Sequence, residues 1–324
     1  MTDHARADDD GMAQGAPSAF SMWSTTIPHL QIAWDATSLS SFITCAQRYK
    51  HEIIDGYRRA AGAGSRHVDF GTMYHSSLET FDKALAAGQA HDEAAEAALR
   101  HALLVSHEWD SGDDKKNRDT LVRAVVWYCD DQRDGPVRPY VFPNGHPAVE
   151  LSFRLPLGLR ARTGEEYMLC GHLDGLCVVN DDEIMVRERK TTQSTIGTYY
   201  FDGFAPNVQV DTYDLVSTIL FPELKIKGVL LEATQAAVQF ARFHRQPMYR
   251  TPAQREEWLQ EMLAYIQEAE ECAARGHWPL RRTSCNLYGG CPFRSICSKD
   301  PAVRERFLRG GDYVEQHWDP LEVR

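Results

Sequence analysis

Glu188, Arg189 and Lys190 close the stretch GHLDGLCVVNDDEIMVRERKTTQ, residues 171–193, with a carboxylate and an ammonium two residues apart. Side chains alternate along a strand, so Ile184, Val186, Glu188 and Lys190 share one face, and the charges continue an apolar stripe. Burying charge is expensive unless something compensates it. Upstream, Asp174 lies between Gly171 and Gly175, and Asn180-Asp181-Asp182 supplies a turn between the two segments. A twisted hairpin would bring Asp174 beside Glu188. Two carboxylates and a Lys at one strand end would hold a hard divalent cation and orient a nucleophilic water. The same three residues would also serve as a cross-strand ion pair that only supports the hairpin.

The spacing by itself is not selective, because the chain has four carboxylate-x-Lys pairs: Asp113/Lys115, Asp114/Lys116, Glu188/Lys190 and Glu223/Lys225. The first two fall in the polar break SGDDKKN, and Glu223/Lys225 has no acidic partner on a preceding strand. His75 in FGTMYHSSLETF sits on an amphipathic helix, where a lone His is more often a half-buried helix residue than a ligand. Gln209 and Tyr213 in QVDTY lie one helical turn apart on a shared face.

A second group of reactive residues is the cysteines. Cys129, Cys170, Cys177 and Cys272 sit in apolar or helical contexts and read as core. Cys285, Cys291 and Cys297, with five residues between neighbours, lie among Gly, Asn, Pro and Ser, which is poor core but good ligand-loop material. Zinc sites favour pairs spaced by two to four residues, so this spacing suits zinc poorly. Three grouped thiolates need a fourth ligand, and Cys45 in ITCAQRYK is the candidate. Zinc and free thiols remain the other readings of this set.

The elements that must position these groups follow from periodicity and turn signals. SLSSFITCAQRYKHEII reads as a first helix, FGTMYHSSLETFDKALAAG as a second ending at Gly, and residues 92–110 and 118–132 as two more. After DGPVRPYVFPNGHP the character changes: AVELSFRLPLG, EEYMLCGHLDGLCVVN and DEIMVRERKTT are β-type segments, expected to form an antiparallel meander. A helix over FAPNVQVDTYDLVSTILF, one buried strand in IKGVLLEATQAAVQF and a long helix from TPAQREEW complete the order. The expectation is an α/β (α+β) core carrying an N-terminal helical insertion. Arg187 and Arg189 fall on the strand face opposite Lys190, in packing or at the surface.

Length and charge bound the function. A chain of 324 residues forms one large domain or two ordinary ones, and its 43% apolar content is that of a soluble globular protein. The net charge of −11 argues mildly against a nucleic-acid partner, although carboxylates around a metal account for part of it. The polar N-terminus, residues 1–30, reads as a disordered lead-in without a secretory signal, and no apolar run is long enough to span a membrane. Eight Cys without a disulfide pattern complete the expectation of a cytoplasmic protein.

Taken together, these motifs resemble the PD-(D/E)XK nuclease superfamily, and within it the RecB-like exonucleases with an iron–sulfur cluster. That group includes phage exonucleases, the AddB nuclease domain and CRISPR-associated RecB-like nucleases. GHLDG is similar to its Gly-x-x-Asp strand and VRERKTT to its (D/E)-x-K strand. FGTMYHSSLETF resembles its Gly-x-x-x-His helix and QVDTY its Gln-x-x-x-Tyr motif, all in family order between Gly71 and Tyr213. Glu150 in AVELSF stands where many relatives also have Glu, without an assigned role.

The resemblance implies a restriction-endonuclease-like core, a central mixed sheet flanked by helices, with a Cys-rich C-terminal segment. One nuclease domain would span residues 31–300, with a helical subregion at 38–135, a catalytic core at 148–245, a closure at 285–297, and a tail at 301–324. It further implies a Mg²⁺- or Mn²⁺-dependent DNA exonuclease of recombination, repair or phage DNA processing. Asp174, Glu188, the Arg189 carbonyl and His75 would bind the metal, with Lys190, Gln209 and Tyr213 completing the catalytic set. Cys45, Cys285, Cys291 and Cys297 would ligate a 4Fe–4S cluster, which all-Cys ligation suits. Single-stranded DNA or duplex ends would be the substrate, and a recombination or annealing protein a possible partner. Two departures stand out: Ala46 replaces a common Pro after the first Cys, and five residues, not two, separate Cys291 from Cys297. The alternatives within this frame are an endonuclease and a non-catalytic iron–sulfur DNA-binding or assembly protein.

Overall fold

A computed structural model describes residues 21–60, 63–287 and 290–322. The chain runs β1 (Ala33–Trp34), α1 (Ala36–Thr44), α2 (Ala46–Tyr49) with a π-helical continuation Lys50–Ile54, and β2 (Tyr57–Arg59). Three helices follow, α3 (Ala63–Ala86), α4 (His91–Val105) and α5 (Arg118–Gln132). Next come β3 (Val137–Pro139), β4 (Val149–Arg160), β5 (Glu166–Val179), β6 (Glu183–Thr192), α6 (Thr198–Asp202) and α7 (Val208–Leu220). The last elements are β7 (Val229–Ala236), β8 (Ala241–Met248), α8 (Pro252–Arg275), α9 (Arg294–Cys297), α10 (Arg304–Leu308) and β9 (Tyr313–Glu315).

β5 is the axis of the seven-stranded mixed sheet. Antiparallel β4 and β3 pair with it, as do parallel β1 and antiparallel β6, and the ladder continues through parallel β7 to antiparallel β8. The expected meander is therefore β4–β5–β6. Helices α1, α7 and α8 share one apolar core with one sheet face, through Leu39, Phe42, Val216, Met262, Leu173, Val186 and Leu231. Helices α3, α4 and α5 build a second core around Phe70, Tyr74, Leu78, Phe81, Leu121 and Tyr128, reaching the sheet at Ala236. The helical insertion is thus α3–α5, and α1 belongs to the main core.

Several expectations are corrected. Residues 21–30 are not a disordered lead-in: Met22 and Leu30 are buried and the Ser24 N–H donates to the Leu30 carbonyl, while residues 1–20 lie outside the described residues. The first helix is interrupted at Cys45, whose backbone is extended (φ −169°, ψ 118°). The segment read as one buried strand is the hairpin β7–β8, turned at Ala237–Phe240, because Gln and Ala at the turn give no Gly or Pro signal. The described part of the C-terminal tail docks on the core, since β9 pairs with β2 and Trp318 Nε1 donates to Asp35 Oδ2 at 3.1 Å, at the N-cap of α1.

Candidate active site

The sheet forks where the candidate residues lie. β5 and β6 pair from Val179↔Glu183 to Gly175↔Arg187, after which β6 continues alongside β7 as far as Thr192↔Gln235. Asp174 is the first β5 residue past the last pair, and it replaces the missing ladder bond: its Oδ2 accepts the Arg189 N–H at 2.7 Å. Gly175 permits the close approach of β4 here. It has φ +159°, and a methyl at its Cα would meet the Ala148 carbonyl oxygen at 2.5 Å.

Around the fork the expected groups converge. His75, from α3, places Nδ1 3.6 Å from Asp174 Oδ2. Lys190 Nζ stands 2.5 Å from Glu188 Oε1 and donates to Gln209 Oε1 at 2.7 Å. Gln209 Nε2 donates to the Tyr213 hydroxyl at 3.2 Å, so the N-terminal turns of α7 back the Lys190 ammonium. Tyr200, on α6, is near enough for the Lys190 charge to act on its hydroxyl. Gly71 is not required by packing, because an added methyl would be 3.7 Å from Thr191 Oγ1, an ordinary contact.

The electrostatics separate the two carboxylates. Glu188 is 2% exposed; burial first, then the Asp174 charge, push it up to about 7 against the pull of Lys190. Burial also acts to raise Asp174, but the nearby His75, the Arg189 N–H and the Lys190 charge overcome it and hold it well below the usual range. For Lys190, burial opposes the charge, and Glu188 and Asp174 outweigh it, so its ammonium is stabilised. Glu188 Oε2 is buried with no hydrogen-bond partner among the described residues. Such an oxygen is costly unless a cation completes it.

Glu150 lies on β4, in a stretch where the β4–β5 register is unbroken. The register Val149↔Gly175 and Leu151↔Leu173 sets it at the level of Asp174, and its φ is +52°, a left-handed value that a non-Gly residue rarely adopts. No residue pattern in AVELSF signals that backbone conformation. Arg187 and Arg189 do lie opposite Lys190, but they are deeply buried against Asp82, Glu232 and Tyr128, which corrects the surface reading.

At the other end of the core, Cys45 at the α1–α2 break meets the C-terminal segment. Its Sγ accepts the Arg281 N–H at 3.3 Å, and the Cys291 N–H donates to the Cys285 carbonyl at 3.2 Å. Burial first, with smaller contributions from the charges of Cys291, Cys45 and Cys285, pushes the Cys297 thiol up to about 11 against the pull of Arg304. Cys129, Cys170, Cys177 and Cys272 are buried, as expected of core residues. Among the described residues, no three His, Cys, Asp or Glu side chains close around a single metal ion at either place. At the fork, the unpartnered Glu188 oxygen beside Asp174 still fits Mg²⁺, which is commonly held by one or two carboxylates plus waters and phosphate oxygens. At the cysteines the donor chemistry suits iron and sulfide, with a backbone N–H already directed at one sulfur.

Residues 33–298 match the PD-(D/E)XK nuclease superfamily, and the mixed α/β architecture agrees with its core. The chain belongs to that superfamily. Membership implies a nuclease acting on DNA, and such nucleases typically use Mg²⁺ or Mn²⁺. No curated protein matches the chain. No helix among the described residues is long and apolar enough to cross a membrane.

Proposed function

We propose that the chain is a Mg²⁺- or Mn²⁺-dependent exonuclease that hydrolyses phosphodiester bonds from DNA ends. The observation that carries the reading is the buried, unpartnered Oε2 of Glu188, beside Asp174 and within reach of an anchored Lys190. Asp174 and Glu188 would hold the cation with His75 and the Arg189 carbonyl, and Glu150 offers a third carboxylate at the same fork. The bound ion supplies Lewis acidity, lowering the pKa of a coordinated water and offsetting charge on the phosphate. Lys190 orients the attacking water or stabilises the charge developing on the phosphoryl oxygens. Gln209 and Tyr213 hold the ammonium in one arrangement, so little reorganisation is needed when the P–O bond breaks.

Preference for ends over internal cleavage rests on the likeness of the motif set to RecB-like exonucleases, as does a role in recombination, repair or phage DNA processing with an annealing or recombination partner. The same likeness, with Cys45 hydrogen-bonded to the Arg281 N–H at the start of the segment that carries Cys285, Cys291 and Cys297, supports a 4Fe–4S cluster fastening the α1–α2 break to the C-terminal segment. Cysteines used as cluster ligands and core residues rather than as disulfides are in keeping with a cytoplasmic setting. The test is digestion of an end-labelled linear duplex, its single strand and the same DNA covalently closed, each with Mg²⁺ or Mn²⁺. Loss of the linear forms alone is expected. Cutting of the closed circle would replace the exonuclease with an endonuclease.

A further inference from the structure

Strand β6 is held from its reverse face by a buried ion network that no step above uses. Arg187 Nη1 donates to both oxygens of Asp82 at 3.0 Å, and Arg189 Nη2 donates to Asp82 Oδ2 at 2.6 Å. Glu232, on β7, accepts from Arg187 Nε at 2.6 Å and from Arg245 Nε at 2.9 Å, and lies 3.4 Å from Arg189 Nε. The Tyr128 hydroxyl of α5 donates to Glu232 at 3.0 Å and accepts from Nη2 of both arginines at 3.2 Å. Asp82, Arg187, Arg189, Glu232 and Tyr128 are all buried.

Burying this many charges contributes little net stability over well-packed apolar residues, whereas removing one partner is strongly destabilising. What the network does provide is a single allowed arrangement of α3 against β6. Asp82 follows His75 by seven residues on α3, two turns and about 10 Å along the axis, so both project from one helix face. Arg189 joins the two ends: its N–H holds Asp174, and its guanidinium holds Asp82. One residue therefore fixes both the carboxylate that His75 faces and the helix that carries His75.

We infer that Asp82 is a positioning residue that, through Arg189, sets His75 Nδ1 at its 3.6 Å separation from Asp174. The inference rests on the reading of Asp174 and His75 as cation ligands. Without the Asp82 anchor, α3 can slide or rotate on the sheet, and His75 moves with it. Partners that orient a metal ligand from behind typically change affinity by about tenfold or more.

The test is calorimetric titration of Mn²⁺ into full-length, chelator-treated protein without DNA, with thermal unfolding run in parallel. Asp82→Asn keeps the side-chain shape and is expected to weaken Mn²⁺ binding about tenfold. In a His75→Ala background the same substitution is expected to change binding by less than about twofold, because the coupling acts through His75. A folded Asp82→Asn protein that binds Mn²⁺ like wild type would overturn the inference, as would equal weakening with and without His75. Should Asp82→Asn fail to fold, Tyr128→Phe removes only the shared hydroxyl and is expected to weaken binding about threefold. No weakening there would also overturn it. Wild-type protein that binds Mn²⁺ but leaves DNA intact would count against the nuclease reading and not against the positioning role.

Discussion

The Lys190 ammonium donates to Gln209 Oε1 at 2.7 Å while it stands 2.5 Å from Glu188 Oε1. A lysine is a point charge on a flexible stem, and two anchors on different elements, β6 and α7, remove most of that freedom before a substrate arrives. Gln209 is itself held by the Tyr213 hydroxyl at 3.2 Å.

Gln209→Leu should therefore lower the turnover of linear DNA by up to about 100-fold, the usual scale for a misplaced catalytic group. Tyr213→Phe, one bond further away, should cost about tenfold or less, on the scale of one hydrogen bond. Single-turnover rates at saturating metal make the comparison. A Gln209→Leu enzyme with wild-type turnover would remove α7 from the site.

Glu188 stores instability in the metal-free protein, because burial and the Asp174 charge push it up to about 7 even with Lys190 beside it. A neutral isostere escapes that penalty. Glu188→Gln should raise the unfolding free energy in chelator by about 1–3 kcal/mol at pH 8 while abolishing cleavage. Urea denaturation in EDTA reads the first effect, and a destabilised variant would mean that Glu188 is a structural ion-pair member.

Much of the candidate site's arrangement is legible in the sequence, and the reasons are local. Strand alternation places Glu188 and Lys190 on one face, and helical spacing places Gln209 and Tyr213 one turn apart. What could not be read depends on contacts between distant segments. The partnership of Arg189 with Asp82 spans 107 residues, and the left-handed backbone of Glu150 has no marker in its neighbours. The β7–β8 turn was invisible because tertiary pairing, not Gly or Pro, makes it. Cys45 is legible as a candidate ligand, but not as the point where its helix breaks.

Lys116 provides a pH-dependent test of the packing between α3 and β6. Its Nζ donates to Thr191 Oγ1 at 3.2 Å and sits 4.0 Å from the Phe70 ring centroid, and burial lowers it from 10.5 to about 8, further than Asp113 restores it. Between pH 8 and 10.5 the unfolded chain keeps this proton and the folded protein has released it, so stability from this group rises with pH across that window. The difference in unfolding free energy between wild type and Lys116→Met should move towards wild type by up to about 3 kcal/mol from pH 7 to 10.5. A flat difference would mean that Lys116 is solvated in solution.

Anaerobically purified wild-type protein should carry about four iron atoms per chain with a matching sulfide content. Cys45→Ser should lose both, whereas Cys129→Ser, buried in the α3–α5 core, should keep them. Zinc in place of iron would discard the cluster but keep the four-thiolate staple.

The most direct measurement is cleavage of end-labelled linear DNA by Lys190→Ala beside wild type in Mn²⁺, with Mn²⁺ binding followed on the same samples. The nuclease account predicts that the variant still binds Mn²⁺ through Asp174 and Glu188 yet cleaves at least about 1000-fold more slowly, the scale of losing a group that stabilises transition-state charge. Undiminished cleavage by Lys190→Ala would contradict it, and the β5–β6 hairpin would then be only a well-packed pair of strands.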